Sequence, residues 1–267
     1  MPPTCSLWLA SKHSSMLEVR KENRVLRVAL DRPEKRNALS LALCRELVST
    51  LESAETDPSI GAILLSGNGK AFCAGMDLSE ARELDRATLD EVHEQLFTIG
   101  FRIRKPIVAG VHGPALGGGT GLAANAHILV ASEDAAFGLT EIRVGLWPIL
   151  IFRMVAAAVG ERRATELALT GRTFTGHEAL ALGLVHKVSQ CPVARAAEIA
   201  LQISQSSADA IRSGMEYRIR TRDTSWDEAG VIGREIRHNA MASGDFAEGV
   251  RAFLEKTNPI WPSLKKE

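Results

Sequence analysis

Residues 106–121 read Pro-Ile-Val-Ala-Gly-Val-His-Gly-Pro-Ala-Leu-Gly-Gly-Gly-Thr-Gly, and no other stretch limits so strongly what this chain can become. The apolar run over 107–111 predicts a short strand, a Gly-Pro turn follows, and three successive glycines lead into an apolar helix. Glycine has no Cβ, so main-chain N–H groups there can face a ligand directly. The start of a helix adds further unpaired donors and the positive end of its dipole. Such a backbone is suited to receive an electron-rich group. A phosphate loop is a poor match, because the Lys-Ser/Thr ending is missing, and a dinucleotide fingerprint fails at Leu122, where it needs glycine. Taken alone, the glycines also fit a purely structural role, letting a helix pack tightly against a sheet.

The rest of the chain alternates strand and helix. A hairpin is predicted over 17–30, and Ser40 is a plausible N-cap for a helix to about residue 56. Residues 60–65 form a continuous apolar run of strand length, which predicts burial on both faces of a sheet. Further elements are a helix over 88–104, a strand over 128–131, and helices over 149–159 and 161–169 split at Gly160. Residues 136–148 read as an apolar loop carrying one acid, Glu141. Thr175-Gly-His-Glu178 resembles a capping box, and Gly183 closes its helix before a strand over 184–188. Beyond Pro192 the pattern is helical, over 193–205, 207–220, 225–242 and 245–256. The expected organisation is therefore a disordered extension over 1–15, an α/β core over 16–192 and a helical lobe over 193–267.

Thirty-two basic and 32 acidic residues balance within 267, which argues against nucleic acid or an anionic membrane as partner. The four cysteines form no C-x-x-C pair, so neither a disulfide framework nor a metal site is expected. No apolar run approaches membrane-spanning length. These features lead to the expectation of a cytoplasmic protein.

Five segments in order resemble the enoyl-CoA hydratase/isomerase (crotonase) superfamily, over residues 16–262. They are Asp-Arg-Pro-Glu-Lys-Arg-Asn-Ala-Leu (31–39), Lys-Ala-Phe-Cys-Ala-Gly-Met-Asp-Leu (70–78), the glycine stretch with Lys105 (105–119), Phe-Gly-Leu-Thr-Glu-Ile-Arg-Val-Gly-Leu (137–146) and Leu-Thr-Gly-Arg-Thr-Phe-Thr-Gly-His-Glu-Ala-Leu-Ala-Leu-Gly-Leu-Val (169–185). The resemblance implies an α/β, crotonase-like (ClpP/crotonase) spiral of ββα units whose C-terminal helices serve trimerisation, as a homotrimer or a dimer of trimers. It implies an acyl-CoA substrate, with coenzyme A arriving as part of the thioester and no separate cofactor. By motif position, the amides of Met76, just after Ala74-Gly75, and of Gly118, just after Gly117, would form an oxyanion hole for the thioester oxygen. Enolate chemistry needs preorganised donors where negative charge develops, and two amides supply several kcal/mol. Arg36, Ala38 and Leu39 would line the coenzyme A pocket, and Asp77 would fix the oxyanion loop. His112 and His127 read as structural.

Family members commonly place two carboxylates beside the acyl chain. The second matches Glu141, but the first falls on Gly121, which has no side chain. Hydration uses two acids to hold and deprotonate water, whereas moving a double bond from the 3 to the 2 position needs one base that takes a proton from C2 and returns it to C4. The bulky segment around Trp147 and Ile149 departs from the glycine-rich run of many hydratases, and near the acid it would exclude water and raise the carboxyl pKa. The reading is thus an isomerase-like enzyme. A hydratase, a hydratase coupled to C–C cleavage, and a non-catalytic acyl-CoA-binding protein remain as alternatives.

Overall fold

The chain winds in successive turns, most of which give one strand to a six-stranded sheet and a short strand or single bridge to a smaller one, then a helix. The computed structural model describes residues 15–81 and 85–265. Of the extension expected over 1–15, only Ser15 lies among them. Strands β1 (Leu17–Glu22) and β2 (Val25–Leu30) form the expected hairpin. Asn23 and Arg24 turn it at φ of 49° and 64°, the double left-handed geometry of a tight hairpin turn. Helix α1 (Leu41–Thr56) begins where the Ser40 hydroxyl accepts the Leu43 N–H at 3.2 Å. Strand β3 (Ala62–Gly67), helices α2 (Leu78–Ala81) and α3 (Arg86–Arg102), strands β4 (Ile107–Val111) and β5 (Pro114–Leu116) and helix α4 (Gly118–Ala124) follow. Next come β6 (Ile128–Ala131), β7 (Ala136–Gly138), α5 (Ile149–Val159), α6 (Glu161–Thr170), β8 (Thr173–Thr175), α7 (Gly176–Leu182) and β9 (Lys187–Val188). Helices α8 (Pro192–Ser204), α9 (Ala208–Arg220), α10 (Trp226–Met241) and α11 (Gly244–Glu255) complete the chain.

The large sheet has the order β1-β2-β3-β4-β6-β9, parallel from β2 onward, and the small one β5-β7-β8. Successive strand residues point to opposite faces, so the unbroken apolar run of β3 feeds two cores. Ile63 and Leu65 join the main core with α1 and α3, while Ala62 and Leu64 meet Ala196 and Ala200 of α8 on the back. Burial of each large aliphatic side chain contributes roughly 1.5–3 kcal/mol relative to exposure.

Several expectations need correcting. β3 starts two residues later than expected, after Gly61, where a Cβ would come within 2.9 Å of Ser204 Cα. The three strands of the small sheet were not expected, because three residues are too few to show a period of two. Of the strand expected over 184–188, Lys187–Val188 alone pairs. The expected boundary at 192 coincides with the first residue of α8, yet α8 packs on the back of the large sheet, whereas α9 packs chiefly on α10. Among the described residues no helix is long and apolar enough to cross a membrane.

Candidate active site

Segments 36–39, 71–77 and 113–121 meet beyond the C-terminal ends of β3 and β4. Arg36 O accepts the Ala74 N–H at 3.0 Å, Leu39 N–H donates to Gly75 O at 2.8 Å, and Asp77 N–H donates to Leu39 O at 3.1 Å. Leu39 and Met76 thereby form a parallel bridge in which Met76 N–H has no acceptor among the described residues. Across from it, Gly117 N–H donates to Gly138 O at 2.8 Å, and Gly118, the first residue of α4, also has an N–H without an acceptor among the described residues. The two segments touch, since a Cβ built on Gly75 would lie 3.4 Å from Gly118 N. Two unpaired backbone donors therefore stand on adjoining loops.

Glycine is required here for two separate reasons. Gly117 holds φ 53° and ψ −123°, a region closed to residues with a Cβ, and a Cβ there would also lie 3.0 Å from Glu141 Oε1. At Gly119 a Cβ would meet Cys73 O at 2.1 Å, so the tight-packing role is realised in the same run. Thr120 secures the helix start, donating to Ala115 O at 2.6 Å and accepting the Gly138 N–H at 3.0 Å.

The loop carrying Met76 is fastened by polar side chains. Asp77 accepts the Ser79 hydroxyl at 2.5 Å and the Ser79 N–H at 3.1 Å, and pairs with Arg32 at 2.7 Å. The Ser79 hydroxyl, with Arg32 assisting and burial opposing, holds its carboxyl down at about 2. Buried Asn37 donates to Asn68 O and Ala71 O, both at 2.9 Å, and accepts the Arg32 N–H at 2.8 Å. Sequence reasoning missed this clamping by Arg32 and Asn37. The available signal was the asparagine in the turn after Asp-Arg-Pro, since asparagine tolerates the left-handed conformation it adopts at φ 55°. Arg36 is exposed and Ala38 half-buried at the rim, while Leu39 is buried with its side chain against Gly118.

Glu141 enters from the 3-10 turn Thr140–Val144. Its Oε1 lies beside Gly117, and its Oε2 is buried with no hydrogen-bond partner. Burial pushes its carboxyl pKa up, with its own amide opposing. At Gly121 a Cβ would lie 2.2 Å from Ile151 Cγ2 and 2.7 Å from Ile151 Cβ, so the direction in which a side chain would leave Gly121 is filled by Ile151. Ile151 belongs to the bulky segment 146–152 that the sequence marks, though it was not singled out there. It lies two positions beyond Ile149, which is itself 70% exposed, while Trp147 is half-buried with its ring 5.8 Å from that of Phe152. His112 Nε2 bonds Gly69 O at 2.8 Å, and His127 Nδ1 accepts the Ile107 N–H at 2.9 Å. The described residues hold no cluster able to bind a metal ion.

Two free amides and one half-buried carboxylate, on an α/β spiral, form an arrangement able to polarise a carbonyl and move a proton next to it. The chain belongs to the enoyl-CoA hydratase/isomerase family, whose sequence profile matches residues 20–264. It is 36% identical over 247 residues to a probable enoyl-CoA hydratase of Mycobacterium tuberculosis, covering 90% of this chain and 95% of the relative. It is 35% identical over 249 residues to the 2,3-dehydroadipyl-CoA hydratase of Escherichia coli, covering 92% and 98%. The crystal structure of an enoyl-CoA hydratase from Mycobacterium smegmatis superposes with a TM-score of 0.87 at 31% identity, covering 93% of this chain and 99% of that one. The fold is thus the crotonase spiral, and the chain is an enzyme of the acyl-CoA hydratase/isomerase family.

Proposed function

We propose that this enzyme shifts the double bond of a 3-enoyl-CoA to the 2 position, with Glu141 as the single proton carrier. The observation that carries the reading is the pair Gly121 and Ile151. The place from which a second carboxylate would reach the substrate is occupied by an aliphatic side chain. In the proposed step the thioester oxygen accepts hydrogen bonds from the amides of Met76 and Gly118. Glu141 takes the C2 proton, the electron pair spreads over the dienolate onto that oxygen, and the carboxylic acid returns the proton to C4, giving the 2-enoyl thioester. A carboxyl pKa raised by burial suits a group that must both accept and return a proton. Each amide donor is worth roughly 3–4 kcal/mol where the charge develops.

The names of the relatives favour water addition, so hydration, alone or coupled to C–C cleavage, is the second reading. Arg36, Ala38 and Leu39 belong to the proposed coenzyme A rim and Trp147 and Ile149 to the acyl side, with no cofactor beyond the substrate's own coenzyme A. Assembly into trimers is part of the proposal. It is supported by Trp226, Phe253 and Leu254 of the C-terminal helices, which are 95%, 82% and 73% exposed in the single chain. Cytoplasmic location belongs to it as well.

The test is to follow 3-enoyl and 2-enoyl thioesters of coenzyme A separately for double-bond shift and for water addition, with feruloyl-CoA as a probe for cleavage to vanillin. Fast isomerisation that needs Glu141 is expected. Efficient hydration surviving in Glu141→Gln, or vanillin formation, would overturn the assignment. A mere binder would show no solvent deuterium entering C2 of a saturating acyl-CoA.

A further inference from the structure

The other end of the parallel strands encloses a second cavity, of about 400 Å³, far along the sheet from the amides described above. It lies between the starts of β3 and β4, the hairpin turn, the end of α1 and the junction of α8 with α9. That volume falls in the range of roughly 300–1,000 Å³ typical of small-molecule sites. Its charged lining consists of Arg24, Arg104, Lys105, Arg212, Glu55 and Asp209. Arg104 pairs with Glu55 at 2.7 Å, and Arg212 with Asp209 at 2.7 Å.

Arg24 and Lys105 form no ion pair with any carboxylate among the described residues. Arg24 Nη2 donates to Pro58 O at 3.1 Å, but its Nε is buried and has no partner. Lys105 Nζ donates to Asp57 O at 2.9 Å and Ile60 O at 2.7 Å, which leaves one of its three protons unused. The nearby Asp57 carboxylate is engaged instead by Ser59 at 2.5 Å and Lys21 at 3.6 Å. Four cations thus line one cavity against two carboxylates, which already pair with Arg104 and Arg212 respectively, and burial lowers the pKa of the Lys105 ammonium, with Glu55 and Asp57 opposing and Arg24 and Arg104 reinforcing. Withdrawing unmatched charge from water is costly, and an oxyanion with several acceptors relieves it by accepting charge-assisted bonds from the Arg24 guanidinium and the spare Lys105 N–H.

We propose that this cavity is a binding site for a phosphate dianion, held between Arg24 and Lys105, either as inorganic phosphate or as the phosphate of a small monoester. A dianion matches the two unpaired cations, and the remaining volume accommodates an organic group attached to the phosphate. The site is separate from that of the substrate thioester, whose proposed coenzyme A rim includes Arg36.

Calorimetric titration of the full chain with inorganic phosphate and with adenosine monophosphate tests it. The expected result is one saturable phosphate per chain, weakened roughly tenfold or more by Arg24→Gln and retained in Arg36→Gln. Ser206 lines the same cavity and is exposed, so Ser206→Asp places a competing carboxylate there without disturbing the fold and should weaken phosphate equally. Tighter binding of the nucleotide than of free phosphate identifies the monoester as the ligand, and equal binding identifies phosphate itself. Absence of saturable binding of either probe, or binding lost in Arg36→Gln but kept in Arg24→Gln and Ser206→Asp, overturns the proposal.

Discussion

Replacing Gly121 by alanine puts a methyl group 2.2 Å from Ile151 Cγ2 and 2.7 Å from Ile151 Cβ, well inside van der Waals contact at both atoms. Neither neighbour is a flexible tip, because Ile151 is β-branched, 2% exposed and built into α5. Over-packing of this kind costs about 1–3 kcal/mol, set against a gain of at most ~1 kcal/mol from replacing a helical glycine by alanine. Gly121→Ala alone should therefore destabilise by roughly 1–2 kcal/mol. Ile151→Ala would leave its Cβ in the way, so the compensating partner is Ile151→Gly. That change alone removes a buried aliphatic side chain and should cost at least ~2–5 kcal/mol. In the double variant the new methyl enters the space that Ile151 vacates. The two effects should then fail to add, with a favourable coupling of roughly 1–3 kcal/mol in urea unfolding curves of the four proteins. Additivity within ~0.5 kcal/mol would refute the claim that Ile151 occupies the direction of a side chain at 121.

Four further outcomes are expected. Gly121→Glu combined with Ile151→Gly should add measurable hydration of 2-enoyl-CoA, followed by ultraviolet loss of the conjugated thioester, whereas Gly121→Glu alone should lose stability and gain no hydration. Glu141→Gln should lower the turnover of isomerisation by roughly 100- to 10,000-fold. It should also raise the melting temperature near neutral pH, because a carboxyl with a raised folded pKa favours the folded state only below that pKa, and this gain should shrink on acidification. Acid unfolding should proceed in two windows. The folded His127 imidazole, depressed to about 4 by burial and then by Arg218, sacrifices up to ~3 kcal/mol between pH 6.5 and about 4, and Asp77, held at about 2, adds its loss between 3.8 and about 2. His127→Gln should flatten the upper window in pH-dependent melting scans. Arg32→Met should free Asp77 and loosen the loop bearing Met76, lowering turnover more than substrate binding, while Met76→Leu should leave both nearly unchanged because the proposed donor is main chain.

What was legible in the sequence was mostly local or backbone-determined. Gly117 and Gly119 announce close approach because no other residue tolerates it, and β3 announces two-sided burial because its apolar run has no polar break. Glu141 stood out as the lone acid in an apolar loop. What escaped depends on chain segments brought together only by folding. Arg32 reaches Asp77 across 45 positions, and no local pattern encodes that pairing. Gly121 was visible as a missing acid, but the residue that takes its space comes from α5, after the whole of β6, β7 and the Glu141 turn. Trp147 and Ile149 drew notice by size, yet the contact at Gly121 belongs to Ile151, whose side chain turns inward one helical step later.

The proposed reaction joins the two unusual features of the site. A carboxylate beside a free amide pair would ordinarily be drawn toward water or a cation, and either would keep its pKa low. Glu141 pairs with no cation among the described residues, where Oε1 lies against the bare face of Gly117 and Oε2 is buried without a partner. An unsatisfied buried carboxylate oxygen costs stability, about 1–3 kcal/mol or more. Folding alone gives no reason to retain it, because leucine at this position would relieve that cost. A proton carrier supplies the reason. In the proposed reaction it takes a proton from one carbon and returns it to another, and a carboxyl whose pKa is raised by burial suits both steps. Ile151 filling the side-chain direction of Gly121 denies the neighbouring position to a second acid and to the water it would hold. Raised pKa at Glu141 and apolar filling at Gly121 both suit the proposed single-carrier reaction.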